Sequence, residues 1–284
     1  MNDKILVIGA SGPIASELVS QLSQAQMPVL AAVQTQEEAD QIRLPNVELT
    51  QISYDLPDAL LGNFADVSKI FLALPVQETH LSSARKILEA ARKGKRKHFV
   101  YLSSFLVHPT QKNPLARIQD EVEKLIMTSG MPYTVLRPRV LMQSFTDHAK
   151  PVNGRLMLPY GKSRVSFVDA RDVACVAAEV LTSSGHEGKI YHITGGEALT
   201  AKEVASHLSR ATGKVISYHD TDAEKLRQFL FAANHPKWRI DDWMGQHTAC
   251  RDGLASSITG VIQHVLGRKP IHFDHFAKDY AAQI

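Results

Sequence analysis

Lys4-Ile5-Leu6-Val7-Ile8-Gly9-Ala10-Ser11-Gly12-Pro13-Ile14-Ala15-Ser16 carries an apolar run of strand length that breaks at Gly9 and passes through Gly12 into a helical stretch, Glu17 to Leu22. A strand, a glycine turn and a helix in that order form the signature of a dinucleotide-binding fold. Glycine lets the backbone turn tightly and approach a pyrophosphate. The helix start offers that anion free N–H groups and the positive end of a dipole. The spacing is Gly-x-x-Gly-x-x-Ala, which differs from the Gly-x-Gly-x-x-Gly of many dehydrogenases. Gly9 is expected to make the turn, Gly12 to meet phosphate, and Ala15 to allow close helix–strand packing. Ser11 is placed to bond a phosphate oxygen, and Pro13 and Ile14 complete the expected cradle.

Working outward, strand-like runs alternate with amphipathic ones. The strands are expected at Ile5–Ile8, Val29–Val33, Val47–Ile52, Lys69–Leu74, His98–Leu102 and Thr134–Arg137. Helices are expected at Ala15–Gln24, Glu37–Ile42, Leu81–Arg92 and Arg117–Thr128. This rhythm predicts an α/β, Rossmann-type doubly wound parallel sheet. Near residue 140 the rhythm changes and loops lengthen. Residues 1–150 are therefore read as a dinucleotide-binding domain. Residues 151–284 are read mainly as a small C-terminal substrate lobe, with 165–194 returning to the main sheet. Capping boxes are expected at Thr200-x-x-Glu203 and Thr221-x-x-Glu224.

Composition narrows the class further. The chain has 284 residues and 44% hydrophobic content, enough for one sizeable core with a lobe. Its net charge of +3 is too small to argue for nucleic acid or a membrane surface. Cys175 and Cys250 stand far apart, and they read as reduced thiols of a cytoplasmic protein. No stretch reaches membrane-span length, and the first apolar run is too short for a secretion signal. The cationic run Arg92–Lys97 sits where cations complement a helix end, so no direct nucleic-acid contact is expected. Thirteen scattered histidines show no ligand spacing beyond His272-x-x-His275, and no metal is expected.

The second strand ends Ala31-Ala32-Val33-Gln34-Thr35-Gln36. An acid there would hold a ribose 2′-hydroxyl, and a base would hold a 2′-phosphate. Gln34 can serve either NAD or NADP. That strand end holds no acid and no base, and with no carboxylate in it to repel a phosphate the expectation leans to NADP.

Several linked segments carry a resemblance. They are Gly9-Ala10-Ser11-Gly12-Pro13-Ile14, Tyr54-Asp55-Leu56, Phe71-Leu72-Ala73-Leu74-Pro75 and His98-Phe99-Val100-Tyr101-Leu102-Ser103-Ser104. They continue in Ser129-Gly130-Met131-Pro132-Tyr133-Thr134-Val135-Leu136-Arg137-Pro138, Leu141-Met142-Gln143-Ser144-Phe145, Val165–Ala174 and Gly267-Arg268-Lys269-Pro270. Together they resemble the NmrA-like branch of the atypical short-chain dehydrogenase/reductases, quinone oxidoreductases included. That resemblance implies that Asp55 and Leu56 flank the adenine. It places Leu74 and Pro75 on the path to the nicotinamide, Ser103 beside it, and Pro138 and the following segment over it. Apart from the resemblance, Met142, Phe145 and Trp238 are expected to line the acceptor pocket, with Tyr160, Phe229 and Trp243 as further candidates for an aromatic lining.

The wider superfamily delivers a proton from a Tyr-x-x-x-Lys pair. By position, Leu115 and Gln119 stand there in this chain, and neither can do that work. Ser103, Ser104 and His108 remain as catalytic candidates, while Tyr101 reads as core. The resemblance implies an NAD(P)H-dependent oxidoreductase of quinone-type or conjugated acceptors, because such acceptors need positioning more than a built-in acid. The alternative is a non-catalytic redox-sensing regulator that acts through a protein partner. A homodimer is compatible with either.

Overall fold

The computed structural model of the chain describes residues 4–53, 66–75, 79–94, 98–107 and 113–284, excepting the side chains of Pro114 and Leu115. The first half runs β1 (Lys4–Ile8), α1 (Pro13–Gln24), β2 (Val29–Val33), α2 (Gln36–Asp40), β3 (Val47–Gln51), β4 (Val67–Leu72), α3 (His80–Lys93), β5 (His98–Leu102), α4 (Pro114–Met127) and β6 (Tyr133–Pro138). The second half runs β7 (Arg155–Leu158), β8 (Arg164–Val165), α5 (Ala170–Thr182), β9 (Lys189–Ile193), β10 (Leu199–Thr200), α6 (Ala201–Thr212) and β11 (Ser217–Asp220). It closes with α7 (Ala223–Ala232), α8 (Lys237–Arg251), α9 (Val261–Leu266) and α10 (Phe273–Asp279).

Among the described residues the main sheet has seven strands, all parallel, in the order β3-β2-β1-β4-β5-β6-β9. Alternate residues of β1 serve opposite faces, as the two-residue period of a strand requires. Ile5 and Val7 pack with Leu18 and Leu22 of α1 and Val173 and Ala177 of α5. Leu6 and Ile8 pack with Ile87 and Leu88 of α3 and Val122 and Ile126 of α4. Burial on both faces explains why β1 reads as a continuous apolar run.

α1 begins with Pro13 at its first position and Gly12 as N-cap, with no side chain capping it. Its buried residues Ile14, Ala15, Leu18, Val19 and Leu22 form a single helical stripe. α5 meets it with small residues, Ala170, Ala174 and Ala177, all buried.

β7, β8, β10 and β11 with α6, α7, α8 and α10 form a lobe beside the carboxyl ends of the strands, whereas Ile262 of α9 packs into the main-sheet core. There β7 pairs with β11, and β8 pairs with β10. The lobe core is aromatic: Phe145, Phe167 and Phe273 meet edge to face at 5.2 to 6.1 Å.

Two details differ from what the sequence pattern predicts. Within 165–194, β9 joins the sheet beside β6, but Val165 pairs with Leu199 in the lobe. The free edge of β6 is already taken by β9, so the two-residue strand β8 finds its partner elsewhere. At the start of α7 the cap is Asp222, not Thr221: its carboxylate accepts from the N–H groups of Glu224 and Lys225. The box at Thr200 and Glu203 forms as expected.

Asp169 caps α5 from a fully buried position. It accepts from the Arg171 N–H and guanidinium and from Gln143. Replacing Asp169 with Ala is expected to lower stability by about 2 kcal/mol or more, because a cap and a buried ion pair go together. Thr200→Ala removes a more exposed cap and is expected to cost only about 1 kcal/mol. Equilibrium urea unfolding of both variants checks the order.

Candidate functional site

The strand order reverses between β1 and β4, since β1 lies between β2 and β4. In open parallel sheets, ligands bind outside the carboxyl ends of the strands at such a switch point. A cleft of about 490 Å³ opens there. Its sheet wall is built from Pro13, Ile14, Leu74, Leu102, Ser103, Ser104 and Pro138. Four separate strand ends thus deliver the sequence-predicted residues Pro13, Ile14, Leu74, Ser103, Ser104 and Pro138 to one place.

Gly9 turns the chain with φ of 77°, a left-handed conformation that favours glycine. Gly12 is different. Its φ of −68° suits any residue, and a Cβ there would meet only the Gly9 carbonyl, at 3.5 Å. The fold itself does not demand glycine at 12, so the open space beside it is available to a ligand. With no side-chain cap on α1, the cradle Gly9–Ile14 fits a pyrophosphate by its own geometry. Ser11 is exposed on the same turn. Pro75 lies one residue past Leu74, and its carbonyl bonds to His80 Nδ1 at 2.8 Å. Asp55, Leu56 and His108 lie outside the described residues.

At the end of β2 the Gln34 N–H donates to Glu38 at 2.7 Å, and the Gln34 carbonyl accepts from Gln51. Thr35 caps α2 and turns Glu38 back toward the strand end. The absence of an acid, on which the NADP preference rested, does not hold in three dimensions. A helical turn hides Glu38 from a reading of the strand end alone.

Both candidate serines have their protons engaged. Ser103 Oγ donates to the buried carboxylate of Glu123, which also takes the guanidinium of Arg137. Ser104 Oγ donates to Gln119 Oε1 at 2.7 Å and accepts from the Leu106 N–H. Gln119, at the position of the superfamily lysine, is therefore a buried partner of Ser104. Tyr101 lies in the core, bonded to His80, and burial pushes its phenol well above the ordinary range.

The opposite wall comes from the lobe, and much of it is absent from the expected set. It holds Asp147, His148, Asp242, Trp243 and Gln246. Asp242, Trp243 and Gln246 share one face of α8 by helical spacing. The His148 ring stacks on Trp243 with centroids 4.0 Å apart and planes 13° apart. Burial pushes His148 below its ordinary value, which keeps the stacked ring neutral. Its Nδ1 stands 3.7 Å from Asp147, too far for a hydrogen bond. Burial also pushes the Asp242 carboxyl up to about 6, against the pull of Gln246 and Arg239. Gly245 lets α8 come close, because a Cβ there would lie 1.6 Å from the Asn113 amide nitrogen.

Three residues expected in the acceptor pocket lie elsewhere, while Trp243 of the wider aromatic set does line it. Phe145 and Met142 are buried in the lobe core, where the Phe145–Phe167–Phe273 cluster holds the aromatic ring. Trp238 packs on Arg239 instead, with the guanidinium 5.4 Å from its ring centroid. The same guanidinium lies over the Trp243 ring at 5.7 Å, and it is Trp243 that lines the cleft. The residue that reaches the cleft is thus set by the turn of α8, which alternation in sequence does not show.

A family model described as the NmrA-like family matches residues 1–276. The chain is 29% identical to an NAD(P)H azoreductase of Xenophilus azovorans, over 98% of each chain. It is 31% identical to a (4-alkanoyl-5-oxo-2,5-dihydrofuran-3-yl)methyl phosphate reductase of Streptomyces griseus, also over 98% of each. Among solved structures, the triphenylmethane reductase of Citrobacter sp., complexed with NADP(H), aligns with a TM-score of 0.84 and 26% identity, covering 98% of this chain and 99% of that one.

Behind the lobe wall, His247 is fully buried against the Tyr160 hydroxyl, and burial lowers it from 6.5 to about 3. A depressed histidine adds stability that is present above its unfolded value and is lost as pH falls below it. Between pH 7 and pH 5 the wild type is expected to lose about 2 kcal/mol more than His247→Gln. Urea unfolding at the two pH values checks this. Asp242 titrates with the opposite sign but is common to both proteins, so it cancels in the comparison.

Proposed function

We propose that this chain, which belongs to the NmrA-like family, binds a nicotinamide dinucleotide and reduces flat, conjugated small-molecule acceptors. The carrying observation is the cleft at the switch point, where the turn Gly9–Ile14 meets Leu74, Ser103 and Pro138. The names of the similar azoreductase and triphenylmethane reductase support the acceptor class.

A bound reduced nicotinamide supplies a hydride. The residues of the chain do the rest. The first turn of α1 holds the pyrophosphate through backbone N–H groups. Leu74 and Pro138 give the reacting ring apolar faces and exclude water from it. Trp243, held between the stacked His148 ring and the Arg239 guanidinium, gives the lobe wall a rigid aromatic edge beside which a flat acceptor lies. Ser103, fixed by Glu123 and Arg137, orients the inner end of the site. No Tyr–Lys pair takes part in this reading. Gln119 stands at the lysine position with its carbonyl oxygen bonded to Ser104.

That same Gln119 supports a second reading, a sensor that binds dinucleotide and turns over no acceptor. The two separate in one experiment. Oxidation of NADH or NADPH is followed with a naphthoquinone, an azo dye and a triphenylmethane dye. The reductase reading expects catalytic turnover of at least one, and binding without turnover of any selects the sensor.

Two variants test the cofactor site. Gly12→Ala fits the backbone and is expected to leave the melting temperature unchanged or slightly raised. It is expected to weaken dinucleotide binding at least about tenfold, read by nicotinamide fluorescence. In this reading Glu38, held to the Gln34 N–H at the end of β2, meets the adenosine ribose and favours a free 2′-hydroxyl over a 2′-phosphate. Glu38→Gln is expected to raise the affinity for NADPH relative to NADH. An unchanged ratio would remove Glu38 from the choice of cofactor.

A further inference from the structure

We infer that Asp242, on the lobe wall, is the proton donor to the reduced acceptor, a role that rests on the reductase reading and takes the place of the superfamily tyrosine. The sheet wall keeps its own protons. The Ser103 proton goes to Glu123 and the Ser104 proton to Gln119. Tyr101 is sealed in the core. Gln119 is an amide and has no proton to release at working pH. Across the cleft, Asp242 lines the cavity and, among the described residues, accepts a hydrogen bond from Gln246 Nε2 at 2.9 Å.

Its neighbour shows how unusual that is. Asp241, one residue earlier, is tied to both Arg227 and Lys237. Asp242 has no ion pair within 4 Å among the described residues, although it sits in a wall built by Trp243 and His148. An acid without a cation partner in such a place keeps its proton to higher pH. The charged and titratable groups around it are Arg239 on its own helix and Asp147 and His148 from the segment after the 3₁₀ turn Met142–Thr146. Arg139 lines the same cavity, while Ser103, Ser104 and Gln119 opposite are uncharged.

The step balances. The hydride brings two electrons to one end of the conjugated acceptor and leaves the nicotinamide oxidised. Negative charge collects on the oxygen or nitrogen at the other end. The Asp242 O–H bond breaks and an O–H or N–H bond forms on that atom. The carboxylate regains a proton from solvent when product leaves. General acids of this kind give about 10²- to 10⁴-fold in rate.

The experiment measures kcat/KM between pH 5 and 9 with an azo dye and a naphthoquinone, in the full-length wild type and in Asp242→Asn, Asp242→Glu and Gln246→Leu. The protonated acid is the active form, so wild-type kcat/KM is expected to fall as pH rises through a value near 6. Asp242→Asn should lose that limb and about 100-fold in rate at pH 6, while dinucleotide binding by fluorescence stays within twofold. Asp242→Glu should restore part of the rate. Gln246→Leu removes a hydrogen bond that favours the charged carboxylate, so the limb should move to higher pH. A wild type that turns over these acceptors while Asp242→Asn keeps its rate within twofold and the same pH profile overturns the inference. A fixed limb in Gln246→Leu also overturns it. A wild type that binds dinucleotide and reduces none of the acceptors overturns the reductase reading itself, and this inference with it.

Discussion

Burial of β1 on both faces is the constraint on which the rest depends. Ile5 and Val7 face one helical layer while Leu6 and Ile8 face the other. No polar side chain fits along such a strand, so function is pushed to where the strand stops. The stop is Gly9, whose positive φ turns the chain across the top of the sheet. Because β4 lies on the far side of β1 from β2, β1 leads to α1 on one face of the sheet and β4 leads to α3 on the other, and a crevice is left between them at the top of the paired strands. The cleft is therefore a consequence of sheet topology before any side chain is considered.

That dependence explains what was legible in the sequence. Strands buried on both faces read as apolar runs, and each proposed sheet-wall contact stands just after such a run or at its end: Leu74 after β4, Ser103 after β5, Pro138 closing β6. The lobe wall is different. Asp242, Trp243 and Gln246 share a face of α8, yet that helix has buried and half-exposed residues on several sides, so periodicity does not mark the face that meets the cleft. Phe145 was expected in the cleft from its place after β6. The lobe needed an aromatic core, and Phe145 joined Phe167 and Phe273 there. Glu38 was hidden for another reason. It is four residues past Gln34, and only the cap at Thr35 folds it back.

The sheet wall is rigid in a way that limits its chemistry. Glu123 is fully buried and is held by Arg137 and Ser103. Removing one partner from such a group leaves a buried charge uncompensated, which costs several kcal/mol. A serine locked into that network positions a ligand well and gives up its proton poorly. The same holds for Ser104, whose hydroxyl is shared between Gln119 and the Leu106 N–H. Order on this side thus favours precision of binding, and mobile protons have to come from elsewhere.

Adjacent carboxylates on α8 show how the other wall is made. Successive residues on a helix point about 100° apart. Asp241 therefore turns outward, to Arg227 and Lys237, and is held below the ordinary carboxylate range by those two cations despite partial burial. Asp242 turns toward the cleft, where Gln246 is its partner and burial dominates. Two identical side chains in sequence thus become a surface anchor and a retained acid through one step of helical rotation. A close approach fixes that rotation, because α8 passes the start of α4 where Gly245 leaves room for Asn113. The glycine that admits the helix and the acid that the helix presents are parts of one arrangement. A larger residue at 245 would move the carboxyl away from the cleft without touching it.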